Sequence, residues 1–223
     1  MTENDPRFSA AFWDRRYSST GQVWSGEPNP ALVEEVSLLA PGTALEVGCG
    51  EGADAVWLAG QGWQVTGVDF SSRALHRAAG HTPAHLAGRI TWQQADIRHW
   101  QPGEGPLYDL VTTSFSHFPP PVRESVFAAL ADRVAPEGHL VIVGHHPGDL
   151  DTAMPRPAEP GLFYTADDLA ADLPGHEWKV LTRTARPRAA TTPDGTPVTV
   201  HDTVLTARRT RWATRTTENE ARS

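Results

Sequence analysis

Hydrophobic positions in this sequence follow two alternating spacings from residue 29 onward. Asn29 followed by Pro30 suits the start of a helix, and apolar residues then recur at helical spacing until Pro41. The segment 121–135 repeats this amphipathic spacing over a longer stretch and predicts a second helix of the same kind. Residues 1–28 are polar and aromatic instead, and no helix is assigned to them.

Short apolar segments alternate with helical ones through the middle of the chain. Five such segments predict strands, at 44–48, 63–69, 89–96, 107–113 and 139–144. The helical segments lie between them, at 53–59, 71–79 and 121–135. Strands that alternate with helices pair in parallel through right-handed crossovers, so the pattern predicts a doubly wound, Rossmann-like α/β fold.

The pattern changes in the last third of the chain. Thr165 and Asp168 have the spacing of a capping box ahead of a short helix. Segments 178–185 and 198–207 then flank a Pro-Asp-Gly turn, which predicts an antiparallel hairpin and a mixed sheet whose last strand is antiparallel. Residues 209–223 are predicted to be a disordered tail.

Composition excludes several classes of protein. The 223 residues include 27 acidic and 19 basic side chains, and the net charge of -8 disfavours a nucleic-acid partner. A single cysteine, Cys49, rules out an intrachain disulfide. The sequence shows no secretory signal and no apolar stretch of the roughly 18 residues that span a membrane. We therefore expect a cytoplasmic monomer or homodimer without a membrane partner.

One cluster of arginines could still form a basic patch. A solvated hairpin with its tail and a binding surface are both compatible with this pattern. The cluster comprises Arg183, Arg186, Arg188, Arg208, Arg209 and Arg211.

A glycine-rich turn follows the first predicted strand and opens a helix. Gly48, Gly50 and Gly52 allow a tight turn and a close approach of a ligand to the backbone. Asp69 ends the second strand, where its carboxylate can accept hydrogen bonds from a ribose diol. The spacing also satisfies a dinucleotide fingerprint, so the turn alone does not separate NAD from S-adenosylmethionine (SAM).

Charge favours SAM over NAD at this turn. Between Thr43 and Ser72 there is no Lys or Arg, whereas four acids occur, namely Glu46, Glu51, Asp54 and Asp69. A pyrophosphate would be repelled by these carboxylates, and two unit charges 4 Å apart interact by about 4 kcal/mol at an effective dielectric near 20. SAM brings an ammonium and a sulfonium against one carboxylate, so the predicted cofactor is SAM.

The residues around this turn resemble a known family. The stretch ALEVGCGEGADAVWLAGQGWQVTGVDFS is similar to motif I and the next strand of class I SAM-dependent methyltransferases. Upstream, WDRRY (13–17) and VWSGEPN (23–29) resemble the tellurite-resistance and thiopurine methyltransferase-like branch. The similarity runs from about residue 12 to 207, and it implies a seven-stranded sheet with the last strand antiparallel.

The resemblance also implies roles for individual residues. Glu46 and Gly48 would hold the methionine end of SAM, Gly50 and Gly52 would give clearance, and Asp69 would bind the ribose, with Phe70 beside the adenine. Asp96 and Ile97 would meet the adenine, and Ser114 would lie near the sulfonium, just past the fourth strand. Tyr17 and Trp24 would close over the cofactor. Packing against the sheet edge remains the alternative for these two aromatics, and a simple strand-end cap remains the alternative for Asp96.

Histidines after the fourth and fifth strands are the candidate catalytic groups. Ligands of doubly wound sheets bind beyond the carboxyl ends of the strands, where this chain has His117, His145 and His146. His117 and His145 are predicted general bases, and a structural role is the alternative. Phe115, Phe118 and Trp24 could form an apolar acceptor wall or pack in the core. No third ligand completes a metal site beside the histidine pair, so no metal is predicted.

We therefore expect one methyltransferase domain over residues 1–208 that acts on a small molecule through oxygen, nitrogen, sulfur or a soft anion. Residues 1–42 would supply a lid and a helix, 43–145 the cofactor-binding core, and 146–208 the final helix and hairpin. Two alternatives remain open at this point. One is an NAD-dependent oxidoreductase that uses the same turn, and the other is a SAM-binding protein without catalysis.

Overall fold

One mixed sheet of seven strands organises the chain. A computed structural model describes residues 8–19, 21–100, 103, 105–157, 159 and 161–210. The strands are β1 (Thr43–Val47), β2 (Gln64–Asp69), β3 (Ile90–Gln94), β4 (Tyr108–Ser114), β5 (Val134–His145), β6 (Trp178–Thr191) and β7 (Pro197–Arg209). Their order is β3-β2-β1-β4-β5-β7-β6; β1 to β5 pair in parallel, and β7 runs antiparallel to both its neighbours. The predicted fold class is confirmed.

Helices cover both faces of the sheet, and several begin at predicted caps. They are α1 (Ala10–Ser19), α2 (Pro30–Val36), α3 (Ala53–Gly60), α4 (Ser72–His81), α5 (Pro120–Asp132) and α6 (Ala166–Ala171). The Asn29 side chain accepts hydrogen bonds from the first amides of α2, and Ser71 caps α4. Thr165 and Asp168 form the predicted capping box of α6. Local sequence therefore sets where these helices start.

Two stretches differ from the sequence prediction. Helix α1 lies in a region to which no helix was assigned, and it is held by a long-range contact in which the Ser71 hydroxyl donates to Asp14 (2.6 Å). The helix predicted over 121–135 ends at Asp132, because Val134 is buried and pairs with Tyr108 at the start of a longer β5. A buried valine fits a helix and a strand equally well in a hydrophobic pattern.

The ends of several strands are also shifted from their predicted positions. Strand β6 continues to Thr191, six residues past its predicted end, and β3 stops at Gln94, two residues early. Ser114 is the last residue of β4 and His145 the last of β5, whereas both were expected just beyond their strands. Strand β7 continues through Arg209, the first residue of the predicted tail, and residues 211–223 lie outside the described part of the chain.

The central strands are buried on both faces. One apolar cluster joins α5 to the sheet through residues such as Leu130 and Ile142, and the other joins α2 and α3 through residues such as Leu58 and Val141. Burial on both faces is typical of a parallel sheet between two helical layers. Within the described ranges, no helix has both the length and the apolar character needed to cross a membrane.

Glu35 ties α2 to the final hairpin, and we predict that it stabilises the fold. Its carboxylate accepts hydrogen bonds from the hydroxyls of Thr182 and Thr206 and from Arg186, each at 2.7 Å. Burial opposes ionisation, but these three donors outweigh it and hold the Glu35 pKa below its ordinary value of 4.5. Glu35→Ala should lower the free energy of unfolding by about 2 kcal/mol at pH 7, because buried donors lose their acceptor.

The pH dependence of unfolding in urea checks the cause of that loss. A lowered pKa in the folded state contributes stability above pH 4.5 that disappears as the pH falls through the folded pKa, so the gap between wild type and variant should narrow in acid. Glu34→Ala is the matched control, because this neighbour is 66% exposed and its one ion pair among the described residues is with Arg186, so the variant should lose less than about 1 kcal/mol. A gap that stays constant with pH would contradict the electrostatic explanation.

Candidate active site

The glycine turn leaves β1 at its carboxyl end and leads into α3. Gly48, Gly50 and Gly52 have φ of 69°, 52° and 84°, which is the left-handed region that favours glycine. A Cβ on Gly50 would lie 3.1 Å from the Tyr17 hydroxyl and 3.5 Å from Nε1 of Trp24. The turn is thus both strained for other residues and covered by aromatic side chains.

Three buried carboxylates surround this turn. Asp69 accepts hydrogen bonds from the Gly50 amide (2.9 Å) and the Ser71 amide (2.8 Å), so it holds the turn against the end of β2. Asp54 accepts from the Asn29 amide (2.6 Å) and the Ser114 hydroxyl (2.9 Å), so it joins α2 to the end of β4.

The third of these carboxylates belongs to Glu46, whose Oε2 is buried without a hydrogen-bond partner among the described residues. Burial raises the pKa of the Glu46 carboxyl well above its ordinary value, and the nearby charges of Asp54 and Asp69 raise it further. Burial also raises the pKa values of Asp54 and Asp69. No ion pair within the described ranges reaches these three acids. The site therefore disfavours added negative charge and would be stabilised by a cation.

The fourth acid of the turn, Glu51, has a different environment. Its Oε1 lies 2.8 Å from the Arg77 guanidinium of α4, a cation five residues beyond the segment that the sequence argument considered. The sequence predicted that no cationic side chain pairs with the acids of the turn. This prediction is wrong for Glu51. Among the described residues, no ion pair reaches Glu46, Asp54 or Asp69.

The N-terminal segment closes over the turn through Glu51. Oε2 of Glu51 accepts hydrogen bonds from the Val23 and Trp24 amides, both at 3.0 Å. Nε1 of Trp24 then donates to the Tyr17 hydroxyl (2.9 Å), and the Tyr17 side chain is buried above Gly50. The sequence left open whether Tyr17 and Trp24 lie over the turn or pack against the sheet edge. These contacts place both side chains over the turn.

The predicted adenine residues follow β2 and β3. Phe70 comes directly after β2, whereas Asp96 and Ile97 lie beyond β3, which ends at Gln94 and not at Asp96 as predicted. Asp96 accepts from the Arg98 amide (3.0 Å) and pairs with its guanidinium, which lowers the Asp96 pKa although burial opposes it. The carboxylate therefore acts as a cap of the short turn 97–99, where Ile97 packs against the core. The Phe70 carbonyl accepts from the Gln94 side chain (3.1 Å), and its ring is half-buried.

A wall of rings follows the ends of β4 and β5. Phe115 has φ of 58°, a costly conformation for a bulky residue, and its ring lies 4.6 Å from that of His145. His145 stacks on His117 with centroids 5.0 Å apart, and Phe163 meets both imidazoles edge-on. We call Phe115, His117, His145 and Phe163 the acceptor wall.

Only part of this wall was predicted. Phe118 stacks on Phe8 instead (6.2 Å), and Trp24 belongs to the cover of the turn. His146 accepts the Gly148 amide through Nδ1 (3.1 Å) and caps a short turn. Phe163 was missed because it comes from a loop before α6 with no periodic pattern.

Both imidazoles of the wall are neutral at pH 7. Burial lowers the pKa of His117 from 6.5 to about 4, and Arg156 adds a smaller effect of the same sign. Burial lowers the pKa of His145 to about 2, with further contributions from His117, Arg156 and Arg188. Nε2 of His117 accepts the His145 amide (3.4 Å), so the proton of the neutral His117 ring is on Nδ1, and the Leu162 backbone partly offsets the lowering of its pKa. Nδ1 of His145 is buried without a hydrogen-bond partner in the described ranges. Imidazoles with pKa values this low are weak bases at neutral pH.

Arginines of the final hairpin are paired with acids. The pairs are Arg183 with Asp167, Arg186 with Glu34 and Glu35, Arg188 with Asp202, Arg208 with Glu137, and Arg209 with Glu177. Arg211 lies outside the described residues. The five described arginines therefore form a paired surface rather than an open basic patch. In the part of the chain that is described, no group of three potential ligands could hold a metal ion.

Comparison with known proteins gives a consistent picture. Residues 44–138 match the profile of a methyltransferase domain. A 2-heptyl-1-hydroxyquinolin-4(1H)-one methyltransferase of Mycobacteroides abscessus is 27% identical over 66% of this chain and 70% of its own length. Thiocyanate methyltransferase 1 of Brassica oleracea is 30% identical over 64% of this chain and 65% of its own.

The fold also matches a solved structure from a study of the conversion of a disulfide bond into a thioacetal group during echinomycin biosynthesis. The TM-score is 0.71 at 24% identity, and the alignment covers 90% of this chain and 93% of the other. The chain spans 62 to 70% of the lengths of the first three curated relatives that it matches.

The protonation of the wall histidines can be tested directly. Because burial disfavours the imidazolium form, we predict that the His117 ring stays neutral as the pH is lowered until about pH 4, and that His145 stays neutral to lower pH still. Nitrogen-15 NMR of the imidazoles, assigned with His117→Gln and His145→Gln, measures both titrations. Protonation of either ring near 6.5 would contradict the buried arrangement.

Proposed function

Because this chain belongs to the class I SAM-dependent methyltransferases, we propose that it transfers a methyl group to a small heteroaromatic molecule bound against the acceptor wall. The observation that supports this is the position of the wall. It stands at the same sheet edge as the acidic glycine turn, and Asp54 and Ser114 link the two through a 2.9 Å hydrogen bond. We further propose that residues 1–208 act as one domain, with 1–42 as its lid and first helix.

The cofactor is SAM, and the residues around the turn suit its charges. Glu46 has a buried carboxylate oxygen without a partner in the described residues, which an ammonium would satisfy. We propose that Glu46 and Gly48 hold the methionine end, that Asp69 holds the ribose, and that Tyr17 and Trp24 exclude water from above. Gly50 and Gly52 give clearance. Phe70, Asp96 and Ile97 line the adenine end, and Ser114 lies toward the sulfonium.

SAM supplies a carbon activated by positive sulfur, so the chain has mainly to align the nucleophile and exclude water. Orientation alone contributes about 7–11 kcal/mol to such reactions. Phe115 and Phe163 offer ring faces and edges to a flat acceptor. His117 and His145, predicted as general bases, are proposed instead to pack against the acceptor as neutral rings, because their lowered pKa values make proton removal unfavourable.

The relatives support the substrate class. The name of the Mycobacteroides abscessus relative specifies a hydroxylated quinolone, which is a flat heteroaromatic ring. The name of the Brassica oleracea relative specifies thiocyanate, which is a small anion. Membership in the methyltransferase family argues against the alternative of an NAD-dependent oxidoreductase. An activity assay separates an enzyme from the other alternative, a SAM-binding protein without catalysis. We propose a cytoplasmic protein, monomeric or homodimeric, whose partner is the small molecule rather than nucleic acid or a membrane.

Thermal unfolding with cofactors tests the cofactor site. SAM at 100 times its dissociation constant should stabilise the protein by about 2.7 kcal/mol, which is a rise of roughly 5–10 °C for a chain of this size. NAD should give no rise. Asp69→Ala should remove most of the SAM effect, because the turn and the ribose lose a shared acceptor.

Asp109→Ala is the matched control for that variant. Asp109 also accepts a backbone amide, that of Thr43 at 2.8 Å, but it lies at the opposite end of β4. Its SAM response should equal that of the wild type. An unchanged response of Asp69→Ala would remove this residue from the proposed site.

Methyl transfer itself can be tested with methyl-labelled SAM and a panel of heteroaromatic phenols, thiols and amines. We expect a labelled product with at least one class and none with saturated ring analogues, because the wall is aromatic. His145→Ala should reduce kcat with little change in the thermal shift caused by SAM. If no panel member is methylated while SAM still binds, the non-catalytic alternative gains the support.

A further inference from the structure

One arginine beside the acceptor wall has donors that the fold does not use. Arg156 follows the short turn at Pro147–Asp151, and its side chain is only 14% exposed. Its one ion pair with a described residue is long, with one terminal nitrogen 3.4 Å from Oδ2 of Asp149. Its Nε is buried and has no hydrogen-bond partner among the described residues. A guanidinium has five N–H donors, so most of the binding capacity of Arg156 is available.

Asp149 positions this arginine but does not saturate it. The Asp149 carboxylate is fully buried and is shared, because it also accepts the His201 amide of β7 at 2.8 Å. Arg188, the next cation along this edge, is different, since it makes a two-pronged pair with Asp202 at 2.9 and 3.2 Å. Arg156 is therefore the less satisfied of the two arginines at this edge.

Arg156 acts electrostatically on the acceptor wall. Its partner Asp149 accepts the His201 amide, and the His201 carbonyl accepts the amide of His146 (3.1 Å), the residue that follows His145. These contacts place the guanidinium at the end of β5 that carries the wall, and its positive charge disfavours the imidazolium forms of both imidazole rings of the wall, which lowers their pKa values. The two ends of the site thus differ in sign. The cofactor turn holds carboxylates without ion pairs in the described ranges, whereas the wall faces a cation with unused donors.

We propose that Arg156 binds the methyl acceptor through a negatively charged group, so that the acceptor enters the site as an anion. The inference rests on the proposed function and specifies its substrate class. A guanidinium recognises a phenolate, thiolate or carboxylate by charge-assisted hydrogen bonds. An acceptor whose nucleophilic atom is already ionised has no proton to lose, so it needs no base, which agrees with the two neutral imidazoles.

Other charged groups surround Arg156 and enter the pH dependence of any binding measurement. They are Asp149 on the preceding turn, His117 and His145 in the wall, Arg188 on β6, and His201 and Asp202 on β7. The measurement is therefore made as a comparison between probes of different charge at one pH, and then between variants.

The test is calorimetric binding to the full chain with S-adenosylhomocysteine present, which prevents turnover. The probes are para-nitrophenol above its pKa, para-methoxybenzoate as a carboxylate without an ionisable hydroxyl, and para-nitroanisole as the neutral control. Wild type should bind at least one anion more tightly than the neutral ring. Arg156→Met should weaken that anion about ten- to hundredfold and leave the neutral ring unchanged, because a charge-assisted bond is lost. Arg156→Lys should fall between them.

Arg208→Met is the matched control. Arg208, beside the first half of β5, is more exposed (39%) but likewise has an ion pair, with Glu137 at 3.2 Å, and a buried Nε without a hydrogen-bond partner in the described chain. Its anion binding should match that of the wild type. If the wild type prefers the phenolate and Arg156→Met loses that preference, the negative charge of the acceptor lies on its nucleophilic atom. If the preference is for the carboxylate, the charge lies on a substituent of the acceptor.

Three results would overturn the inference. They are binding of neither anion to the wild type, equal affinity for the neutral ring, and unchanged anion binding in Arg156→Met with a normal melting temperature. Failure of the proposed function looks different, because SAM would then give no thermal shift or no acceptor would be methylated. If SAM binds and a neutral acceptor is methylated equally by Arg156→Met, only the role of Arg156 is wrong.

Discussion

Three buried carboxylates at one glycine turn are the constraint on which the rest of the structure depends. Asp69 holds the turn to β2, Asp54 joins α2 to the end of β4, and Glu46 is left with an oxygen that the described residues do not satisfy. Keeping such groups ionised in a buried site requires compensating positive charge. A fold that tolerates this arrangement gains a site selective for a cationic ligand.

The same contacts transmit order from the turn to the acceptor side. Ser114 donates to Asp54, and the chain then turns at Phe115 with positive φ, which aims a bulky ring along the sheet edge. Strain of this kind persists where neighbouring structure fixes it. On the other side, Glu51 fixes the segment that carries Trp24 over the turn. Cover, turn and wall are therefore parts of one hydrogen-bonded unit.

Sequence alone predicted the parts of this unit that are local. The glycines, their acids, the fold class and the helix caps at Asn29 and Thr165 all follow from neighbouring residues or regular periods. Helix α1 could not be predicted, because it depends on Asp14 reaching Ser71, 57 positions along the chain. Phe163 and Arg156 were missed for the same reason, since they come from a stretch without periodicity that only the fold brings beside His117.

The histidines show most clearly why composition and position do not determine chemistry. A histidine after a strand end is an available base at its ordinary pKa of 6.5, and sequence gives no reason to expect otherwise. Stacking of His117 on His145, enclosure by Phe163 and proximity to Arg156 all disfavour the charged form. The environment that makes these rings poor proton acceptors is the same one that suits a flat anion. A site that cannot remove a proton at neutral pH works best on a nucleophile that has already lost it, and the unused donors of Arg156 lie where such a charge would be held.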